Sequence, residues 1–354
     1  MKLRPFAAGH LLLILLSLCI FSSAGAQTKV RVISAATVFD SSQANNTSIP
    51  LHLGYWKAEG LDVEAQPSPA SAAIQAVITG NADIAYGGPS VALAAREKGA
   101  KLTAIYLNVR KNIYYPAVLE SSDIKTLKDF KNKIMGVSSY GAQMNYIFSS
   151  MFEEAGLIPG QDVKTVEIGM GSQALTALTL DRVQIWGTWD SQAATIENLG
   201  FNLRRFTSPA SERLDFGAAY FVRDDYLKKN RETLVKFLRG VAKGTVFALA
   251  NPDASVHIHF LVFPNSKATG TDEQTAFKQA LHIFNARAVS LPKKPNEMWG
   301  EMSIESVTAT RDFLLKAGLL KKTFNPQDVF TNDLLADANR FDARAVEQQA
   351  LNYK

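Results

Sequence analysis

The chain has few of the residues that covalent or metal chemistry needs. Cys19 is the only cysteine among 354 residues, and it falls in a stretch that reads as a cleaved leader. The processed chain is therefore expected to form no disulfide and to offer no thiol nucleophile or thiolate metal site. Past the leader the histidines are His52, His257, His259 and His282. His257 and His259 stand two apart, a spacing that turns them to different sides of a helix but to one face of a strand. With no carboxylate at metal-ligand spacing, packed or surface histidines are expected and a zinc site is not. A nucleophile elbow is missing as well, since Gly136-Val137-Ser138-Ser139-Tyr140-Gly141 has the wrong spacing for one. No basic run exceeds two residues, which argues against nucleic acid and against a polybasic membrane contact.

Residues 1–26 have the three-part layout of a secretory signal peptide: Lys2 and Arg4, the apolar run Leu11 to Phe21, then Ala24-Gly25-Ala26 ahead of Gln27. The apolar run is roughly half of the ~20 residues that a membrane span needs, so cleavage before Gln27 is expected and a retained anchor is not. Leu18 is not the small residue that a lipoprotein signal places before its cysteine. Taking Lys2 and Arg4 from 38 basic residues against 33 acidic ones leaves 36 against 33, a net +3 that solubility alone explains.

The remaining length exceeds what one hydrophobic core usually supports and implies two lobes, at about 100 to 150 residues per domain. Brief β-branched or apolar runs, Val30 to Ser34, Ile84 to Tyr86, Thr103 to Leu107, Ile134 to Val137 and Thr165 to Ile168, alternate with helical stretches such as Ser71 to Thr79 and Asn145 to Ala155. That alternation predicts an α/β architecture with mainly parallel sheets flanked by helices. From Arg231 onward the pattern is mostly helical. Pro116, which lacks a ladder donor, sets one crossing between lobes at Tyr114 to Leu119, and the extended run Phe216 to Val222 sets the other. Lobe 1 is then 27–119 together with 217–354, and lobe 2 is 120–216. The short stretch Gln66 to Ala70 is the nearest thing to a linker.

In such folds ligands sit beyond the carboxyl ends of the strands. Gly87-Gly88-Pro89-Ser90, between a buried strand and a helix, would present free backbone N–H groups there. The other loops in the same topological position carry Ala36 and Thr37; Ser138, Tyr140, Gly141 and Gln143; Ser172; and Trp186, Trp189 and Asp190. Gly87, Gly88 and Ser90 with these residues make up the candidate ligand-binding set. The two tryptophans could cover a ligand face while Asp190 supplies an acceptor. Each has a plainer reading: glycine and serine as turn and cap residues, the tryptophans as packing, Asp190 as the cap of a following helix. Arg110 and Lys111 suit a solvated face better than an anion site.

The run Gly54 to Glu64, then Gly80-Asn81-Ala82-Asp83 and Asn251-Pro252-Asp253-Ala254, resembles in order and spacing the solute-binding proteins of nitrate, sulfonate, taurine and thiamine-precursor ABC transporters. The resemblance implies the two-lobed periplasmic-binding-protein fold of type II and a cleft on which the candidate loops converge. It further implies a periplasmic monomer that captures a small solute, hands it to a transporter permease, and uses no cofactor or catalysis. A solute-sensing partner of a membrane receptor would use the same cleft. Some relatives synthesise the thiamine pyrimidine with a cysteine-rich motif, a histidine and a pyridoxal phosphate lysine; a processed chain without cysteine departs from that pattern.

Gly169-Met170-Gly171-Ser172-Gln173-Ala174 fits the dinucleotide fingerprint, with Asp190 near the ribose offset. It does not lie in the first βα unit, and too few residues separate it from Asp190 for a full helix and a long strand. A solute contact or a simple turn suits it better. Backbone-rich loops suit a sulfonate, nitrate or carboxylate; paired tryptophans suit a pyrimidine or an aromatic carboxylate.

Overall fold

The computed structural model describes residues 26–36, 38–138, 140 and 143–354. Except for Ala26, the expected leader, Cys19 included, lies outside the described residues, as do Thr37 and Gly141 of the candidate set. Among the described residues no helix is long and apolar enough to cross a membrane.

In chain order the first five strands are β1 (Thr28–Ala35), β2 (Leu61–Ser68), β3 (Ile84–Gly87), β4 (Leu102–Val109) and β5 (Tyr114–Leu119). The next five are β6 (Lys133–Val137), β7 (Val163–Glu167), β8 (Ile185–Trp189), β9 (Leu203–Arg205) and β10 (Ala218–Arg223). They form two five-stranded sheets, ordered β2-β1-β3-β10-β4 and β7-β6-β8-β5-β9. Each sheet is a parallel set with one antiparallel strand inserted beside its last member: β10 in the first, β5 in the second. Both inserted strands come just after the chain has changed sheets, at residues 110–113 and again at 206–217.

Two strands differ from the sequence reading. Tyr114–Leu119, expected to close lobe 1, is β5 of the second sheet. Pro116 has no N–H to give, but it still sits opposite Gly187, and its carbonyl accepts from the Phe206 N–H at 2.9 Å. Gln66 to Ala70, the nearest thing to a linker in the sequence but too short to join domains, begins in β2, an edge strand with Leu61 and Val63 buried and Asp62 and Glu64 exposed. Its Pro67 is tolerated because an edge strand has one free side.

The first sheet is covered on both faces. Helix Arg231–Ala250 brings Leu234, Phe237, Leu238 and Val241 against Val30, Ile84 and Tyr220. On the other face, helix Ile304–Lys316 brings Val307 and Leu314 against Leu93, Ala104 and Phe221. The second sheet packs Phe130, Ile147, Phe148 and Phe152 on one side and Leu178, Trp186 and Ile196 on the other. At ~1.5–3 kcal/mol for each large apolar side chain buried, these layers supply the main drive to fold.

The motifs that carried the family resemblance are largely structural. Gly54 adopts φ 68° ahead of the short helix Tyr55–Ala58. There the Trp56 indole donates to the Phe237 carbonyl at 3.0 Å. Asn251 caps helix Pro252–Val262 by accepting from the Ala254 N–H at 3.0 Å, with Pro252 in the first turn, where its missing N–H costs nothing.

Candidate binding site between the sheets

Of the direct links between the two units, two lie at the carboxyl ends of the parallel strands. The first runs from β3 to the second unit. Gly88 has φ −67° and ψ 150°, ordinary extended backbone, and opens helix Pro89–Glu97 without a side-chain cap. The Ser90 N–H in that helix's first turn donates to Gln143 Oε1 at 3.4 Å. Gln143 in turn begins helix Gln143–Glu154, packed on the second sheet. A Cβ on Gly88 would stand 2.2 Å from that Oε1, so any larger residue here would have to displace the Gln143 side chain. Gly87 is as close to β1, where a Cβ would come within 2.8 Å of the Ala35 side chain. Ala36 continues that corner, its N–H shared between the carbonyls of Ser34 (2.8 Å) and Ser68 (3.0 Å).

The second link starts from β8. The stretch Trp186 to Asp190, expected as a loop, is strand up to Trp189, and Gly187 within it admits Phe148, which would lie 2.4 Å from a Cβ. Once that segment is a strand, its side chains alternate between faces. Trp186 is 2% exposed among Ala174, Leu178, Val183 and Ile196. It is therefore a core residue of the second unit and not a cover for the seam. Trp189 and Tyr114 are half-buried and pack against the cores of both units, and the Trp189 indole donates to Ser191 Oγ at 3.1 Å. Asp190 is buried in a bidentate ion pair with Arg287 of helix Glu273–Ala288. Burial pulls the Arg287 pKa down, but the adjoining Asp190 carboxylate outweighs it and holds the pKa above the usual arginine value.

A buried polar layer adjoins this pair. The 3-10 helix Ser41–Asn46 consists of polar residues and one alanine, all buried. Asn45 Nδ2 donates to Asn108 Oδ1 and Thr245 Oγ1, both at 3.0 Å, and Asn108 Nδ2 donates to the Tyr86 hydroxyl at 3.1 Å. Tyr86, Tyr220 and Tyr106 stand side by side on β3, β10 and β4, with ring centroids 4.9 and 6.1 Å apart. Burial raises the pKa of each of the three, so all remain neutral. Sequence reasoning missed Asn45, Asn46, Asn108 and Arg287. A polar run such as Ser41–Asn46 ordinarily signals a solvated loop, and Arg287 lies far along the chain in an ordinary helix.

The rest of the candidate set is more dispersed. Ser138 follows β6. Tyr140 is 60% exposed, with its N–H on Glu167 and its hydroxyl on the Thr165 carbonyl at 3.3 Å. Ser172 is exposed at the start of helix Ser172–Thr179, after Gly171 at φ 56°. The glycines resembling a dinucleotide fingerprint thus form a turn beside β7, an edge strand. Arg110 is tied to Glu297 and to the Glu301 carbonyl (3.1 Å), and Lys111 is exposed. The four histidines all have protein partners: His52 with Tyr353, His257 stacked on Phe277, His259 with Ser48 and Phe39, His282 with Asn198.

Residues 49–255, more than half of the chain, match the family described as NMT1/THI5 like. The chain belongs to that family. A Brucella abortus protein named as a binding protein is 23% identical over 295 residues, 81% of this chain and 86% of its own length. The riboflavin-binding protein RibY of Chloroflexus aurantiacus is 23% identical over 361 residues, 95% of this chain and 98% of its own. Among solved structures, the periplasmic aliphatic sulphonate binding protein SsuA of Escherichia coli superposes with a TM-score of 0.64 at 16% identity, covering 85% of this chain and 91% of its own. The periplasmic nitrate-binding protein NrtA of Synechocystis gives 0.62 at 13%, with 93% and 99% covered. The desulfurization enzyme DszB gives 0.61 at 12%, with 88% and 99% covered. At such identities these likenesses establish the fold, which is that of the periplasmic binding proteins.

Proposed function

We propose that the chain is the extracytoplasmic solute-binding component of an ABC importer. It would be exported through a cleaved signal peptide, act as a periplasmic monomer, hold a small organic solute between its two lobes, and pass it to a permease. The observation that carries this reading is the pair of links across the seam, Ser90 to Gln143 and Asp190 to Arg287, formed where the strand ends of both sheets converge. Among the described residues two segments cross between the sheets, 110–113 and 206–217, so the lobes can rotate about them. Solute contacts to both lobes would favour the closed form. Trp189, Gln143, Gly88 and Ser90 are the members of the candidate set best placed to touch it. The names of RibY, SsuA and NrtA support a transport role and leave the solute open.

Small-angle scattering with and without solute tests this reading. The radius of gyration should fall when a solute raises the melting temperature, and the solute recovered after denaturation should be unchanged. Turnover of the recovered molecule would favour an enzyme instead, in keeping with the DszB likeness. An unchanged radius would count against closure.

A further inference from the structure

The polar layer beside the Asp190–Arg287 pair has acceptors to spare, and the Arg287 cation next to it is already paired. Asn45 is fully buried and Asn46 is 4% exposed. The Asn45 amide nitrogen is committed to Asn108 and Thr245, and the Asn46 side chain lies beside the hydroxyls of Tyr86 and Tyr220. Their Oδ1 atoms are buried with no hydrogen-bond partner among the described residues. An orphaned buried amide oxygen is costly and uncommon in a native protein. Two on consecutive residues, in a layer built on the strand ends where ligands bind, read as acceptors waiting for a donor.

The charges nearby work against the opposite chemistry. Both donor edges of Arg287 that face Asp190 are taken, and the Asp40 carboxylate adds to the negative field around that guanidinium. Arg110 is held by Glu297. An acceptor-only anion entering here would meet two carboxylates against one guanidinium and would find no donor in Asn45 Oδ1 or Asn46 Oδ1.

We propose that the solute is a neutral molecule that donates N–H or O–H hydrogen bonds to Asn45 Oδ1 and Asn46 Oδ1, as an amide, an imide of a nitrogen heterocycle or a polyol can, and is not a sulfonate, nitrate or carboxylate. This deepens the binding reading above and rests on it. The test is calorimetry on the unaltered protein with shape-matched probes: benzamide against benzoate and N,N-dimethylbenzamide, and methanesulfonamide against methanesulfonate. The donor-bearing member of a set should bind on the order of 10-fold or more tightly than its partners, and Asn46→Leu should weaken that member by roughly 10- to 100-fold, the range expected when a buried acceptor is lost. Equal or tighter binding of benzoate or methanesulfonate would overturn the inference and leave the binding reading standing. Binding by no probe, with an unchanged scattering radius, would overturn both. The comparison among probes needs no variant, so a failure of Asn46→Leu to fold does not affect it.

Discussion

Arg287 meets Asp190 edge to edge, Nε to Oδ2 and Nη2 to Oδ1, each at 2.6 Å, and both side chains are buried. The carboxylate also accepts the Ser191 N–H at 2.7 Å, and the Asp190 N–H itself donates to the Ile113 carbonyl at 3.2 Å. The first turn of helix Asp190–Glu197, the last turn of helix Glu273–Ala288 and the segment that crosses between the sheets are thereby fastened at one point. A buried pair recovers its desolvation cost only when its geometry is good and its remaining valences are filled, and three donors on one carboxylate meet that condition.

Removing one partner should therefore cost more than removing both. Asp190→Leu or Arg287→Met alone should lower unfolding free energy by about 3–5 kcal/mol, because each strands a buried charge. The double variant should recover much of that loss. Urea unfolding of the four proteins in a double-mutant cycle measures the coupling. Additive losses would mean that the pair is not coupled as its geometry indicates.

Gly88→Val should leave the fold intact, since φ −67° is open to any residue, while its side chain displaces Gln143 and breaks the Ser90 link. The expected outcome is a melting temperature within a few degrees of the parent, since the link lost is a single long hydrogen bond. The scattering radius should increase and solute affinity should fall. Gln143→Ala should act in the same direction with a smaller effect, and normal closure in both variants would remove this link from the mechanism.

The parts of the fold that were legible in the sequence are those where the local pattern and the burial agree. β4 is apolar or β-branched at nearly every position and buried throughout, and helix Gln143–Glu154 keeps Met144, Ile147, Phe148 and Met151 on one face. Misreadings came where tertiary contact overrides local chemistry. Trp186 to Trp189, expected in a loop, is strand around Gly187, which makes room for Phe148, and Pro116, expected to mark a crossing, lies inside a strand of the second sheet. The candidate site divides in the same way. Gly88 and Ser90 were visible because glycine at a strand–helix junction has a backbone meaning, whereas Asn45, Asn46 and Arg287 act through burial, which neither spacing nor composition encodes.

Trp186 and Trp189, three residues apart, should behave differently. Trp186 lies in the core, so Trp186→Ala should cost about 3–5 kcal/mol of stability. Trp189 is half-buried at the seam, so Trp189→Ala should weaken solute affinity by about 1–3 kcal/mol. Fluorescence with each tryptophan replaced in turn by phenylalanine decides which one reports solute. A response that survives Trp189→Phe and disappears in Trp186→Phe would reverse the assignment.

His259 supplies a pH dependence. Its ring is buried between Ser48 Oγ at 3.1 Å and the Phe39 carbonyl at 3.2 Å, flanking Ser41–Asn46 on both sides. In the neutral form Nε2–H donates to Phe39 and Nδ1 accepts from Ser48. Protonation turns Nδ1 into a second donor, so that the Ser48 hydroxyl must rotate to accept from it, and buries a positive charge. Burial lowers the pKa from 6.5, outweighing the Asp40 carboxylate and the Phe39 carbonyl, which pull it up. The neutral ring's contribution to stability is therefore complete above pH 6.5, the value in the unfolded chain, and is lost as the pH falls below it toward the folded value. One proton limits the slope to about 1.4 kcal/mol per pH unit. Melting temperatures measured downward from neutral pH should fall across this window before the carboxylates titrate. In His259→Gln, which keeps a hydrogen-bonding side chain without a titratable proton, that part of the fall should vanish. A parent curve flat from pH 7 to about 5 would show that the buried ring is not what makes the protein sensitive to acid.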